Sequence, residues 1–283
     1  MAVAKPAPHQ RSPFSRFAER HIEANRWFRS TDVAHMAVRL LAKDRDPADL
    51  AQTLIPKKER WLFTFQHYYA RCSEQAGQKA TINDLREDLR DGWDDVLEAT
   101  IVKEVGALEM FLREWSIEAL NEALKPGAAS LNRENKQKLQ EALEVLISRP
   151  YESVSLTRIG ELFPTLRTVL TGSTHLRALR PLLSPGTADL TCQSVAGLWR
   201  DVRNLILHHD RVVHPRFKMK YDSIWSSLHR DARERGSTVR SREVRIGNRL
   251  PIDDRHVVFC FTSCYQTAVV LHVATGADHE PAK

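Results

Sequence analysis

Leu198-Trp-Arg-Asp-Val-Arg-Asn-Leu-Ile-Leu-His-His-Asp-Arg-Val-Val-His-Pro-Arg-Phe217 decides how this chain is read. Its first half carries Leu198, Trp199, Val202, Leu205 and Ile206. With Val195 just upstream, these recur three and four apart, the spacing of one helix face. A helix is therefore expected from Asp189 to about His208, and Pro215 is expected to stop anything beyond it. At about 100° per residue the apolar stripe centres on Val202. Arg203, Leu207, Arg200, Asn204 and His208 fall on the far side, in that angular order. A hydrophobe, Leu207, among polar residues on the face turned from the core is odd for a solvated surface and suits a symmetric contact between two copies.

Outward from this segment the organisation is helical. The strongest pattern runs from about Asp94 to Leu124, with Val96, Leu97, Ile101, Val102, Val105, Leu108, Leu112, Trp115 and Ala119 on one face. Asp94 is a candidate N-cap, and Pro126-Gly127 ends the pattern. Leu131 to Ser148 reads as another helix, and Tyr221 to Arg235 as a further one. Two helices are expected near the start, Phe14 to Phe28 and Val33 to Ala42, the second capped by Asp32. Lys57 to Gln75 is rich in aromatics, which fits a buried face better than a base-stacking surface. Between Ser237 and Ile252 apolar residues alternate loosely with Arg240, Arg242, Arg245 and Arg249, and a small β-hairpin near 239–252, with Gly247-Asn248 at its turn, is a candidate. The expected fold class is all-α. Residues 1–13 read as a disordered tail, 14–80 as an N-terminal helical region, 81–276 as the main helical domain and 277–283 as a second tail.

Composition narrows the class. The chain has 283 residues, 42% of them hydrophobic and 28% charged, as in an ordinary soluble globular protein. Its formal net charge of +6 suits a polyanionic partner and also simply maintains solubility. The first residues hold no apolar run of the kind a signal peptide needs. The four cysteines form no CxxC pair; Cys260 and Cys264 share a helix face and read as buried small hydrophobes. Reduced thiols fit a cytoplasmic protein. Val257 to Ala277 approaches membrane-spanning length, but Thr262, Ser263, Gln266, Thr267 and His272 within it favour a buried helix over a membrane span.

Within the opening segment, Arg203-Asn204 is followed by three apolar residues and then His208-His209. This resembles the R-x(4–6)-H signature of the HEPN superfamily, in which a polar residue, often Asn, follows the Arg. Arg16 to His21, Arg29 to His35, Arg60 to His67 and Arg249 to His256 satisfy the bare spacing too, but these arginines are followed by Phe, Ser, Trp and Leu, and only Arg203 by Asn. Arg-Asn-x-x-x-His-His-x-Arg is similar to the motif of Abi-like abortive-infection proteins. The wider run, with Val212-Val213 after the histidines, resembles the RiboL-PSP-like branch, in which an upstream helix often carries a pattern like Leu108-Glu-Met-Phe-Leu-Arg113. Where the Abi-like pattern has Leu-Trp-Asn after His-His-x-Arg, this chain has Val212-Val213-His214. The resemblance covers roughly residues 93–276. It implies a HEPN-like helical bundle and a homodimer in which two motif helices face each other across one composite cleft. It also implies a setting in bacterial defence or a toxin–antitoxin pair, with a neutralising antitoxin or another defence protein as partner.

The residue types suit RNA cleavage by the RNA's own 2′-OH. A neutral imidazole takes the 2′-OH proton and an imidazolium protonates the leaving 5′-oxygen. A guanidinium matches the charge of the phosphorane. Arg203, Asn204 and His208 are thus the expected catalytic residues, with the Asn204 amide, one turn before His208, expected to orient its ring. Arg200, His209 and Arg211 are expected to bind substrate phosphates. No cofactor and no metal are expected. Two rivals stand beside this reading. One is a non-catalytic HEPN module that binds RNA or a partner protein. The other is a helical nucleic-acid regulator using the Arg-rich stretch 230–249, whose interleaved Asp231, Glu234 and Glu243 also fit a solvated helix.

Overall fold

The structure is a computed structural model that describes residues 12–42, 92–126, 132–149, 154–164, 166, 170, 191–234 and 244–274. Among these residues run helices α1 (Pro13–Ala42), α2 (Trp93–Leu124), α3 (Arg133–Ser148), α4 (Leu156–Leu162), α5 (Cys192–His208), α6 (Pro215–Glu234) and α7 (Asp254–Ala274). The described part is all-α, with no strand. The chain divides into two compact units, Met1–Asn25 with Glu98–Lys283, and Arg26–Leu97. The described residues 12–25 thus group with the later helices. The aromatic stretch 57–75, Cys72, residues 235–243 and the tail 277–283 lie outside the described residues.

In the larger unit, α5 is the central element: α7, α6 and α4 all pack on it. Its apolar stripe is as expected, with Val195, Leu198, Trp199, Val202 and Leu205 buried. Trp199 is 1% exposed, and its indole N–H is satisfied by Ser263 Oγ of α7 at 2.7 Å. A buried indole without such an acceptor would be costly. Cys260 and Cys264 are buried on α7 with sulfurs 4.0 Å apart, and burial pushes the Cys264 thiol well above its ordinary pKa. Helix α7 has the length and apolar composition of a membrane span, yet 56% of that window is buried within the protein.

The first turns of α1 lie along α2 through ion pairs of Arg16 and Arg20 with Glu114, at 2.8 and 3.2 Å, and a hydrogen bond between His21 and the fully buried Glu104 at 2.7 Å. Arg16 and His21, which share the spacing of the motif, are thus committed to holding helices together. In the smaller unit, Trp93 packs against Phe28 and His35, with ring centroids 6.1 and 4.6 Å apart.

Several local expectations are corrected. The first two helices are one: α1 runs unbroken through Ser30-Thr31-Asp32, and the Thr31 hydroxyl bonds back to the Trp27 carbonyl at 3.0 Å. A hydroxyl satisfied in this way does not force a cap. Helix α2 begins at Trp93, which places Asp94 in the first turn, where a carboxylate suits the helix dipole. Pro215 does not end the helical run but opens α6, at the one helix position where a missing N–H is no loss. The hairpin near 239–252 is not found in its described part. Gly247 (φ 84) and Asn248 do form a turn, but its residues pair with the loop after α5. Val212 and Arg249 form an isolated antiparallel bridge, Val213 N–H donates to the Asn248 carbonyl at 2.9 Å, and Leu250 N–H to the Arg211 carbonyl at 2.8 Å. Arg211 and Val213 are buried, so their backbone groups need partners, and this turn supplies them.

Candidate active site

Helix α5 is fixed at its start by a capping box. The Thr191 hydroxyl accepts from Ser194 N–H, and Ser194 Oγ accepts from Thr191 N–H, both at 3.0 Å. At its end the chain leaves through two consecutive left-handed residues, Asp210 (φ 46) and Arg211 (φ 62). Non-glycine residues there cost about 1–3 kcal/mol each unless surroundings hold them. The surroundings do. Arg211 N–H donates to the Leu205 carbonyl at 2.9 Å. Arg249 donates to both the carboxylate and the carbonyl of Asp210, at 2.7 and 3.3 Å. The Arg211 guanidinium pairs with Glu98 of α2 at 2.8 Å, with side chains 7% and 15% exposed.

Arg203 is part-buried and reaches Glu109 of α2 at 3.4 Å; its Nη1 is 3.5 Å from Asn204 Oδ1. Arg203 Nε and Glu109 Oε1 are buried with no hydrogen-bond partner among the described residues. Burial raises the Glu109 pKa, and the charges of Arg203 and Arg200 act against that rise. His208 closes α5, exposed to solvent beside the exposed Leu207. The expected Asn204–His208 hydrogen bond is not formed among the described residues; the Asn204 oxygen instead lies 3.5 Å from the Arg203 guanidinium.

Arg200, Asn204 and His209 come together on a groove of about 410 Å³, which is also lined by His214, Arg216 and Lys220 of the chain entering α6. His209, the C-cap, has left helical geometry (φ −132), which turns its ring toward His214, with centroids 6.4 Å apart. His208 does not line this groove. Arg211 does not join it either. Expected as a phosphate contact, it is 6% exposed and committed to Glu98, so its role is to hold the turn. Among the described residues no three His, Cys, Asp or Glu side chains gather as a metal-ligand set.

The sequence reading gave no role to Glu109, His214, Arg216 or Lys220. Glu109 sits in the quoted stretch Leu108–Arg113, so a signal was present. Arg216 and Lys220 were hidden by the reading of Pro215 as a stop, since only a helix starting there folds them back onto α5. Comparison of the chain with protein-family models, with curated proteins and with solved structures gives no match.

Proposed function

We propose that this chain is a metal-independent endoribonuclease of HEPN type that acts as a homodimer on RNA, in bacterial defence or a toxin–antitoxin pair. The observation that carries the reading is the exposed end of α5. There a part-buried guanidinium, Arg203, backed by Glu109, lies on the same helix as the exposed Leu207 and His208. Buried apolar residues explain the rest of the helix; nothing in the core explains these. A Leu207 that is 47% exposed between Arg203 and His208 favours a second copy covering this face.

In this reading the RNA 2′-OH attacks the adjacent phosphorus. The P–O2′ bond forms and the P–O5′ bond breaks. His208 takes the 2′-OH proton, and His208 of the partner subunit gives a proton to the leaving 5′-oxygen. Arg203 and Asn204 donate hydrogen bonds to the non-bridging oxygens, where charge builds in the phosphorane. Cytoplasmic residence and partnership with a neutralising antitoxin belong to the same reading. A second reading, a non-catalytic HEPN module that binds RNA or protein, is favoured by one observation: the charge of Arg203 is already answered by Glu109. Incubating purified protein with a mixed RNA pool in EDTA, and mapping the cut sites and end groups, separates the two.

A further inference from the structure

Two grooves adjoin along α5, and they share Arg200 and Lys220. One, of about 410 Å³, holds His209, His214 and Arg216; the other, of about 320 Å³, runs toward Thr157 and Thr191. The charge of the first groove is strongly one-sided. Arg200, Arg216 and Lys220 face a single carboxylate, Asp201, which pairs with Lys220 at 2.6 Å. Arg216 is exposed and makes no ion pair among the described residues.

Two independent features show that His214 and Lys220 are placed and not merely solvated. The Phe217 N–H donates to His214 Nδ1 at 3.1 Å, as a cap of α6. In the neutral ring this leaves the proton on Nε2, so His214 is fixed as a hydrogen-bond donor at its other nitrogen. Gly197, in the middle of α5, is a poor helix residue by about 1 kcal/mol against Ala. A Cβ there would meet Lys220 Nζ at 3.0 Å and Cε at 3.7 Å. The glycine makes room for the lysine ammonium to lie across the helix where the two grooves join.

We propose that this groove seats a phosphate of the RNA strand other than the one cleaved, gripped by Arg200, Arg216, Lys220 and the Nε2–H of His214. The strand then runs along α5 toward the second groove. The inference rests on the ribonuclease reading for the identity of the strand. Its chemistry is that of a phosphodiester: three cations and an N–H donor face Asp201, which Lys220 neutralises, while Glu109 of the second groove lies within reach of the charges of Arg200 and Arg203.

The test is fluorescence anisotropy of the full chain with a labelled 12-nucleotide RNA that is 2′-O-methylated throughout, titrated at several salt concentrations. Arg216→Ala is expected to weaken binding several-fold and to lower the slope of log K against log salt by about 0.7–1, as for one lost phosphate contact. Gly197→Ala, which improves helix propensity and so keeps the protein folded, is expected to shift the Lys220 ammonium by a few tenths of an ångström and to weaken binding less than Arg216→Ala does. Lys136→Ala, the same loss of charge on α3, is expected to bind as wild type. If Arg216→Ala and Gly197→Ala both match Lys136→Ala in affinity and salt slope, the inference is overturned, whether or not the protein cuts RNA. If both variants weaken binding but unmodified RNA is never cut, the groove stands and the ribonuclease reading falls. Inorganic phosphate added at constant ionic strength is the second arm. Release of the RNA at millimolar phosphate from wild type but not from Arg216→Ala supports a phosphate seat; equal insensitivity of both speaks against it.

Discussion

Arg203 of α5 reaches Glu109 of α2 at 3.4 Å, so the arginine of the motif is held by an acid from the helix that carries the quoted Leu108–Arg113 stretch. A guanidinium that must meet a phosphorane gains from being held in place beforehand, since mobility of a long side chain is lost on binding. In the proposed reaction Glu109 acts as a positioning residue. Glu109→Gln is expected to keep the fold but lower single-turnover cleavage about 10-fold, the scale on which orienting partners act. The same variant should leave affinity for uncleavable RNA nearly unchanged. An unchanged cleavage rate would remove Glu109 from the account.

Arg211 separates structure from binding. Its ion pair with Glu98 is almost fully buried, and breaking one side of such a pair costs about 3 kcal/mol or more. Arg211→Ala should lower the free energy of unfolding by that much, read from a denaturant titration followed by circular dichroism. Loss of RNA affinity with no loss of stability would return Arg211 to the substrate.

Leu207 reports on assembly. With the side chain 47% exposed on the face bearing Arg203 and His208, Leu207→Glu should weaken self-association and cleavage together. Light scattering at tens of micromolar, where a specific interface of about 7 kcal/mol is occupied, measures the first. A variant that becomes monomeric yet cuts at the full rate would show that one subunit suffices.

Much of this was legible in the residues. The stripe Val195-Leu198-Trp199-Val202-Leu205 specifies α5 and its buried face, because a 3.6-residue period on both sides of a tryptophan admits one orientation. Leu207 and His208 were legible as outward-facing for the same reason. The groove was not, because it depends on where the chain goes after the helix. Nothing local says that Asp210 and Arg211 take left-handed backbone; the Arg249–Asp210 contact, 39 residues apart, holds them there. Ser30-Thr31-Asp32 misled in the opposite direction. These residues cap helices when free to do so, and here Thr31 is satisfied within α1. Glu109 and Arg203 are 94 residues apart, and spacing alone cannot pair them.

Asp253 gives a pH test independent of function. Its carboxylate caps α7 through the N–H groups of Arg255 and His256 and bonds the buried His256 ring at 2.7 Å. Burial pushes this carboxyl up, but the hydrogen bonds and charges of His256 and Arg255 outweigh it and hold the group well below the usual aspartate range. A carboxyl with a lowered pKa in the folded state adds stability above its ordinary pKa of 3.8, and that stability is lost as pH falls through the lowered value. Asp253→Asn keeps a capping side chain but loses the charge facing Arg255 and His256; it should cost about 1 kcal/mol at pH 6, and the difference from wild type should shrink below pH 4. A gap that stays constant from pH 6 to pH 3 would contradict the assignment.

In the proposed reaction His208 and Arg203 cleave RNA through its own 2′-OH. The direct measurement is the end chemistry of an RNA pool incubated in EDTA with wild type, Arg203→Ala and His208→Ala, each shown folded by circular dichroism. Wild type is expected to leave 2′,3′-cyclic phosphate and 5′-hydroxyl ends, to spare DNA and 2′-O-methyl RNA, and to lose cleavage in both variants. Cleavage that leaves 5′-phosphate ends, or that persists at the wild-type rate in His208→Ala, would contradict it.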